Sequence, residues 1–429
     1  MNAASCLRVA LPVPLPNLFD YLPPRSGPPA APGVRVRVPF GKRRLVGIVM
    51  AAGVVSEVKR ERLQRVESVL DDGEVLLDEH LQALLRWCWQ YYKRAPGDVV
   101  TSALPPALRT TGGQLPEAPQ VHRITAAGRE RLEQPPGRET ARYALLEAMS
   151  SGPKPDASLR SLASRWRATL DALKEGGMAE TVPAPKPVAR PRAGPELRPE
   201  QRAAVDAIAS DLGRFRCHLL DGVTGSGKTE VYMCLLEQVL AGGQQALVLV
   251  PEIGLTPQLL RRFEQRLGVE PAVIHSGLAA GERLAAWEAA RSGRAPLLVG
   301  TRSALFTPMP RLGLIVLDEE HDASFKQQEG FRYSARDVAV KRAAELGVPV
   351  VLGSATPSLE SLRNAREGRY GWQRLLERAT LASLPAWRVL DLRQQSTRHG
   401  MTGAALEAVS STLDRGEQVM VFLNRRGYA

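Results

Sequence analysis

The sequence predicts a multidomain α/β protein, and three features of its 429 residues indicate this class. Hydrophobic residues make up 44% of the chain and charged residues 24%, as in ordinary globular proteins. Proline-rich segments at residues 105–120 and 183–197 separate stretches that differ in their pattern of apolar and polar residues. From residue 198 onward, short apolar runs alternate with amphipathic stretches, which is typical of a parallel sheet covered by helices.

Residues 1–110 are predicted to form a β-rich module. The stretches LRVALPVP, VRVRVPF and RLVGIVM within residues 7–50 alternate apolar with other residues, and Pro and Gly separate them. This pattern indicates short strands. Residues 78–95 show apolar positions at helical spacing, so a helix is expected to follow the strands.

The rest of the chain divides into four further predicted parts. Residues 111–182 alternate helix-like segments with turns and are predicted to form a winged-helix-like domain. Residues 183–197 are a Pro-rich linker. Residues 198–393 carry six β-like runs with crossover-length segments between them, which predicts the parallel α/β part. Residues 394–429 are expected to begin a further α/β lobe that is incomplete in this chain.

Charge and cysteine content restrict the possible functions. The net charge is +12 and is distributed along the whole chain, which suits a polyanion touched by several domains. A generic basic protein is the alternative. The four cysteines form no C-x-x-C pair, so no zinc site and no disulfide framework is predicted in this chain. The cysteines are expected to be reduced, buried thiols of a cytoplasmic protein. Without a run of about 18 apolar residues, no membrane span is predicted.

The segment GVTGSGKTEVY at residues 222–232 predicts a phosphate-binding loop. It follows a strand-like run and precedes a helix-like one, as G-x-x-x-x-G-K-[ST] requires. Lys228 is expected to lie near the β and γ phosphates of ATP, and Thr229 to bind Mg²⁺, at the positive end of the following helix. The residues expected to hold the nucleotide are Gly222, Gly225, Gly227, Lys228 and Thr229.

Asp318 and Glu319 close the strand-like run LGLIVLDEE. In proteins with a phosphate-binding loop, an acid here coordinates Mg²⁺ and a neighbouring carboxylate polarises the attacking water. Asp318 is therefore the second expected Mg²⁺ ligand, and Lys228, Asp318 and Glu319 are the expected catalytic residues. The alternative is a solvated strand end. These elements predict an ATP- and Mg²⁺-dependent enzyme, and a small-molecule kinase remains possible at this point.

Further segments resemble superfamily-two helicases. Three segments resemble motifs Ia, Ib and III of this superfamily and occur in the same order. They are VPEIGLTPQ (250–258), VGTRSALFTP (299–308) and GSATPS (353–358). The resemblance implies that Thr301 and Arg302 contact the DNA backbone. It also implies that Gln201, ahead of the phosphate-binding loop, reads adenine, and that residues 198–393 are a RecA-like helicase lobe.

The match is closest to the primosomal replication-restart helicases. Six segments of this sequence resemble segments of those helicases. Two lie near the start, VALPVPLPNLFDYL and VRVRVPFGK, and the others are GVTGSGKTEVY, HSGL, DEEHDASFKQQEGFRY and FLNRRGYA. The family implies that residues 1–110 bind the 3′ end of a nascent leading strand through Phe19, Asp20, Tyr21 and Gly41. Core packing of Phe19 and Tyr21 is the alternative. Gln64 stands where the family usually has a lysine, so the sequence departs from the family at this position of the pocket.

The resemblance also assigns a role to the segment DASFKQQEGFRYSARD (322–337). It resembles an aromatic-rich loop that reports bound DNA to the ATPase. Interleaved aromatics and cations suit stacking on unpaired bases together with phosphate contact. The alternative is a surface loop with incidental aromatics. The DNA-contacting residues implied here are Phe325, Lys326, Phe331, Arg332 and Tyr333.

The family thus implies an ATP-dependent 3′→5′ DNA helicase that recognises stalled forks and initiates primosome assembly. Its implied partners are fork DNA, single-stranded DNA, single-strand DNA-binding protein and other primosome proteins, with a nucleoid-associated location and no membrane contact. The family's zinc-binding cysteines and motifs V and VI are absent from this sequence, so the chain is expected to be truncated. A fork-DNA-binding module without efficient ATPase is therefore the second hypothesis.

Overall fold

The computed structural model describes residues 5–117, 119–134, 140–185, 187–378, 386–393, 396–398 and 400–422. The chain forms two compact units, Met1–Thr380 and Leu381–Ala429. The larger unit holds every residue assigned above to the nucleotide and DNA sites.

The N-terminal module is an antiparallel sheet, as its alternating sequence predicts. Among the described residues the sheet has five strands in the order β2-β1-β4-β3-β5. The alternation is clearest in β4, where Val49 faces a small apolar core while Ile48 and Met50 face the helices. The strands are β1 (Ser5–Ala10), β2 (Phe19–Tyr21), β3 (Arg35–Phe40), β4 (Arg43–Val55) and β5 (Ser68–Val69).

Two helices cover one face of this sheet, α1 (Glu79–Tyr91) and α2 (Pro96–Ser102). Asp78 caps α1, because its carboxylate accepts a hydrogen bond from the backbone N–H of Leu81 at 2.8 Å. Leu81, Leu84 and Leu85 lie on the buried face of α1 at helical spacing. The predicted helix within residues 78–95 is therefore confirmed.

The middle segment has helices packed beside a two-stranded antiparallel sheet. Leu145, Leu146 and Leu170 are completely or almost completely buried in its own core. Its predicted winged-helix-like character remains a prediction. Its elements are β6 (Gln120–Ile124), α3 (Ala126–Glu133), α4 (Thr140–Ser150), α5 (Asp156–Arg160), α6 (Trp166–Glu175) and β7 (Ala179–Pro183).

A parallel sheet forms the centre of the remaining part of the larger unit. Within the described ranges it has seven strands, in the order β10-β11-β9-β12-β13-β8-β14. The six predicted runs are strands β8 to β13, and β14 is a seventh that sequence inspection missed. The strands are β8 (Cys217–Gly222), β9 (Gln245–Leu249), β10 (Ala272–Ile274), β11 (Leu297–Gly300), β12 (Leu312–Leu317), β13 (Val350–Ser354) and β14 (Gly371–Leu375).

Helices cover both faces of this sheet, which is why strands β8 to β13 are mostly apolar. Strands β12, β13 and β8 are neighbours, so their carboxyl ends meet at one edge. The segments DEEHD, GSATPS and GVTGSGKT follow these strands and are therefore brought together. The helices are α7 (Pro199–Ala209), α8 (Lys228–Ala241), α9 (Pro257–Leu267), α10 (Ala280–Arg291), α11 (Ala335–Leu346) and α12 (Leu359–Arg366).

The N-terminal module and the parallel sheet domain share one apolar core. Helix α1 packs against α11, and residues from both contribute to the same buried cluster. The indole Nε1 of Trp287 on α10 donates to the backbone oxygen of Ala103 at 3.0 Å. The backbone N–H of Ser334 donates to the hydroxyl of Tyr92 at 3.3 Å. We call this contact region the seam.

The smaller unit contains β15 (Thr397–Arg398), β16 (Met401–Thr402) and α13 (Gly403–Asp414). Most of the segment FLNRRGYA, at residues 423–429, lies outside the described residues. The beginning of a second helicase lobe here remains a prediction. In the part of the chain that the structure describes, no helix is both long enough and apolar enough to cross a membrane.

Candidate nucleotide site and nucleic-acid interface

The phosphate-binding loop connects β8 to α8. Gly225 and Gly227 have φ angles of 79° and 84°, a left-handed conformation that favours glycine. Lys228 is buried, and its Nζ donates to the backbone oxygen of Gly222 at 2.9 Å. The loop encloses a cavity of about 270 Å³ lined by Thr224, Gly225, Ser226, Gly227, Lys228, Thr229, Arg262, Asp318 and Glu319. The structure thus brings all of the sequence-predicted phosphate and metal residues except Gly222 into one cavity, and Gly222 contacts Lys228 from outside its lining.

Asp318 and Glu319 lie directly after β12, opposite the loop. Burial raises the pKa of the Asp318 carboxyl, and the negative charge of Glu319 raises it further. Oε1 of Glu319 lies 3.8 Å from Nζ of Lys228. Glu319 has a φ of 50°, a left-handed conformation that is uncommon for a residue with a side chain. Such strained positions cluster at functional sites, where the surrounding structure holds them.

Replacing Asp318 with asparagine is expected to stabilise the nucleotide-free protein at neutral pH. Because the folded protein disfavours the ionised Asp318 carboxylate, the protonated form contributes to the free energy of unfolding. This contribution is fully present below the usual pKa of 3.8 and is lost as pH rises through the raised pKa. The variant carries no such charge. Its thermal midpoint should exceed that of the wild type by about 1–2 °C at neutral pH, with the difference shrinking toward acid. Thermal unfolding as a function of pH measures this, and a pH-independent difference would contradict it.

The residues present fit a magnesium nucleotide. Hydroxyl Oγ of Ser226 is buried in the loop without a hydrogen-bond partner among the described residues. Asp318 keeps a carboxylate whose charge a cation would stabilise, and Thr229 supplies a hydroxyl on the same cavity. The described residues contain no group of three or more His, Cys, Asp or Glu side chains able to hold a metal by themselves. The arrangement therefore suits a metal held jointly with phosphate oxygens.

Tyr232 is a site residue that sequence reasoning missed. It lies on α8, completely buried, and its hydroxyl donates to Oδ1 of Asp318 at 3.0 Å. Burial raises the pKa of this hydroxyl well above its usual value, so it remains protonated and donates. A Cβ on Gly353 would lie 1.6 Å from the same hydroxyl. Tyr232 therefore links the phosphate-binding helix to the acidic segment Asp318–Glu319–Glu320, called motif II from here on, and to motif III.

Glu320 is the second residue that was missed. Its side chain is completely buried and accepts hydrogen bonds from the backbone N–H of Ser358 at 2.7 Å and from the Ser361 hydroxyl at 3.1 Å. Nη1 of Arg336, at the start of α11, lies 3.3 Å from its Oε2. The run of consecutive acids in DEE was the only signal in the sequence. Glu320 joins motif II to the segment after motif III and to the end of the aromatic-rich loop.

Gln201 lies buried beside the phosphate-binding loop. Its Oε1 accepts from the backbone N–H of Arg198 at 2.9 Å, and its Nε2 donates to the backbone oxygen of Ser226 at 3.0 Å. Both ends of the amide are thus used to fix the loop and the start of α7. The reading of adenine by this residue remains a prediction.

The two expected backbone-contacting residues of motif Ib differ in exposure. Thr301 is only 4% exposed, so its side chain faces the protein interior. Arg302 is half-buried, and its Nη1 donates to the backbone oxygen of Ser324 at 2.7 Å. Of the two side chains, only that of Arg302 reaches the surface in this structure.

The aromatic-rich loop places its rings inside the protein and its cations outside. Phe331 and Tyr333 stack with ring centroids 4.8 Å apart, and Tyr92 of the N-terminal module contacts Phe331 edge-on at 5.8 Å. Phe325 is also buried, whereas Lys326 and Arg332 are exposed. Phe325, Phe331 and Tyr333 cannot stack on bases in this conformation, because their rings form the apolar core of the seam. Lys326 and Arg332 remain available for phosphate contact.

The residues expected to bind a 3′ end lie together on the N-terminal sheet. Phe19 packs edge-on against Phe40 with centroids 5.3 Å apart, next to the β3–β4 turn at Gly41. Asp20 is paired with Arg8, whose Nε lies 3.0 Å from Oδ1. Tyr21 is buried, its hydroxyl donates to the backbone oxygen of Pro39 at 2.9 Å, and burial raises the pKa of this hydroxyl to about 12. Tyr21 therefore supports the strand, while Phe19, Asp20 and Gly41 keep exposed surface.

Two family models match the chain. Residues 8–105 match the 3′DNA-binding domain (3′BD) of PriA, and residues 198–365 match the DEAD/DEAH box helicase model. The replication restart protein PriA of Haemophilus influenzae is 39% identical over 99% of this chain and 59% of its own length. PriA of Bacillus subtilis is 33% identical over 96% of this chain and 60% of its own length. The chain matches the N-terminal part of the PriA family.

The two matched segments correspond to the two sites described above. The 3′DNA-binding match contains the end of β1 and all of β2 to β5, with the Phe19–Asp20–Tyr21 strand. The helicase match contains the phosphate-binding loop and motif II. The chain spans about three-fifths of the length of these PriA relatives. The parallel sheet domain is accordingly called lobe 1 below.

Proposed function

We propose that this chain provides the fork-recognition and ATP-binding part of an ATP-dependent 3′→5′ DNA helicase that acts in replication restart. The observation that supports this most directly is the seam. A module matching a 3′DNA-binding domain shares its core with a lobe whose phosphate-binding loop and motif II enclose one cavity. DNA recognition and nucleotide chemistry are thus joined in one compact unit.

ATP is the proposed nucleotide and Mg²⁺ the proposed metal. Lys228 would neutralise charge on the β and γ phosphates, and Thr229 and Asp318 would hold the metal, which would stabilise charge on the phosphoryl oxygens. Glu319 is the proposed group that orients water, and the 3.8 Å contact with Lys228 keeps its carboxylate at the cavity. Tyr232 holds Asp318 in place through its hydroxyl.

DNA is the proposed macromolecular partner, in the form of branched forks and single strands. Asp20 would accept a hydrogen bond from a terminal 3′-OH, with Phe19 beside it for stacking on the terminal base. Lys326, Arg332 and Arg302 would contact phosphates. Single-strand DNA-binding protein and other primosome proteins are proposed as partners from the PriA relatives, and association with the nucleoid would follow from DNA binding.

Fork binding with 3′-end discrimination tests this proposal. The chain is expected to bind a fork with a 3′-OH at the junction at least about tenfold more tightly than plain duplex or than the same fork with a 3′-phosphate. A terminal phosphate repels the Asp20 carboxylate, whereas a hydroxyl donates to it. Asp20→Ala should remove most of this preference. Fluorescence anisotropy with labelled DNA gives both dissociation constants.

Asp98→Ala provides the matched control. Asp98 is also paired with an arginine in the N-terminal module, Arg94, but lies on α2 and not on the sheet. It should leave the discrimination intact. A wild-type chain that binds 3′-OH fork, 3′-phosphate fork and duplex equally would refute the recognition proposal. Stimulation of ATP hydrolysis by the fork would in turn refute the second hypothesis, a fork reader without efficient ATPase.

A further inference from the structure

Two arginines lie at the seam on opposite sides of the junction between the N-terminal module and lobe 1. Arg109 ends the 3-10 turn Pro106–Arg109, which packs against α10. Arg283 lies on α10, one helical turn before Trp287, the residue that bonds to the N-terminal module through Ala103. Nη2 of Arg283 lies 3.2 Å from the hydroxyl of Ser303 in motif Ib. Both the N-terminal module and lobe 1 therefore contribute a positive charge to the seam.

Neither guanidinium has a carboxylate partner among the residues that the structure describes. Arg109 donates through Nε and Nη2 to the backbone oxygen of Leu104, at 2.9 and 2.8 Å. Arg291, two turns further along α10, is paired with Glu288 at 2.7 Å and with Glu74 at 2.8 Å. One helix thus carries a fully compensated arginine and an uncompensated one, which distinguishes Arg283 from an ordinary structural arginine.

The two charges also disfavour each other. Burial lowers the pKa of Arg109, and the charge of Arg283 lowers it further. Burial likewise lowers the pKa of Arg283. An anionic ligand beside the two guanidiniums would offset this repulsion.

We propose that Arg109 and Arg283 form a DNA phosphate site at the seam, between the N-terminal module and lobe 1. This inference rests on the proposed function and adds residues that lie outside the helicase motifs. A guanidinium donates several N–H bonds in a plane, which suits phosphodiester oxygens. The hydroxyl of Ser303 in motif Ib lies next to Arg283, so the site adjoins motif Ib.

The test measures fork affinity across a salt series. The double change Arg109→Ala with Arg283→Ala should weaken fork binding about tenfold near 100 mM salt and reduce the slope of log affinity against log salt by about 1 to 2. Arg363→Ala is the matched control, because it removes one positive charge from an exposed arginine of lobe 1 that is paired with Glu367. It should change neither quantity.

A stability measurement separates a binding role from a structural one. Without DNA, Arg283→Ala should unfold at the same temperature as wild type or slightly above it, since it relieves repulsion. Arg283→Lys should retain the salt slope while losing part of the affinity. Full wild-type affinity and slope in the double variant would overturn the proposal, as would a loss of affinity matched by an equal loss of folded protein. Stabilisation of wild type, but not of Arg283→Ala, by millimolar pyrophosphate with unchanged fork affinity would show a free-anion site and overturn it too.

This design separates the inference from the proposed function. If wild type shows no fork binding at all, the proposed function fails, and with it the inference. If wild type prefers the 3′-OH fork and the double variant retains that affinity, the proposed function stands and the phosphate site at the seam is rejected.

Discussion

Replacing Lys228 with alanine is expected to weaken binding of magnesium ATP at least about 100-fold and to leave fork affinity within about twofold of wild type. The reason is the separation of the two sites. Lys228 lies buried at the phosphate cavity, where it contacts the backbone oxygen of Gly222 and the carboxylate of Glu319. The residues proposed to hold DNA lie on the N-terminal sheet, at the seam, in the aromatic-rich loop and in motif Ib, and none of them lines the phosphate cavity. Titration with a fluorescent ATP analogue and with labelled fork DNA measures both affinities.

Glu319→Gln is the informative companion to this change. Its side chain is nearly isosteric and remains at the cavity, but it can no longer act as a negatively charged group toward water. Nucleotide binding should persist while any ATP hydrolysis falls by about 10²-fold or more. Equal loss of fork and nucleotide binding in Lys228→Ala would contradict the proposal that the two sites are separate, unless circular dichroism showed that the variant is unfolded. Full nucleotide affinity in Lys228→Ala would exclude the cavity as the ATP site.

Much of lobe 1 was predictable because its signals are local. A buried parallel strand has to be apolar on both faces, so strands β8 to β13 stood out as short apolar runs. The phosphate-binding loop depends on glycines at fixed spacing, and Gly225 and Gly227 adopt the left-handed angles that such spacing implies. Strand β14 was missed because its sequence, GWQRL, alternates as an edge strand and lacks an apolar run.

The seam could not be predicted, because it depends on contacts between distant parts of the chain. Trp287 bonds to Ala103, which lies 184 residues earlier. An aromatic residue interleaved with cations suits base stacking and core packing equally well in sequence, and only the fold shows that Phe331 and Tyr333 face α1. Tyr232 and Glu320 escaped notice for the same reason. Their partners Asp318 and Ser358 lie 86 and 38 residues away.

The contact between Gly353 and Tyr232 leads to the largest expected effect on stability. Gly353 lies in β13, and a Cβ there would sit 1.6 Å from the Tyr232 hydroxyl and 2.8 Å from Cζ of the ring. Tyr232 cannot give way easily, since it is completely buried and bonded to Asp318. Gly353→Ala should therefore lower the free energy of unfolding by about 2–4 kcal/mol. Urea unfolding followed by circular dichroism measures it.

Gly281→Ala is the matched control, because nothing lies within 4 Å of a Cβ at this position in α10. There the same substitution should stabilise the helix by up to about 1 kcal/mol. The two glycine-to-alanine changes are thus expected to shift the free energy of unfolding in opposite directions. Unchanged stability of Gly353→Ala would show that the end of β13 can move to accommodate the new Cβ without cost.

A double-mutant cycle identifies the clash as the cause. Tyr232→Phe removes the hydroxyl and should cost about 1 kcal/mol, since Asp318 loses a donor. Combined with Gly353→Ala, however, it removes the atom nearest to the new Cβ, so the double variant should be more stable than Gly353→Ala alone. The rescue should be partial, because the ring carbon at 2.8 Å remains too close. A coupling of about 1–3 kcal/mol would show that motifs II and III are positioned through this one hydroxyl, whereas strictly additive losses would assign the cost of Gly353→Ala to the strand itself.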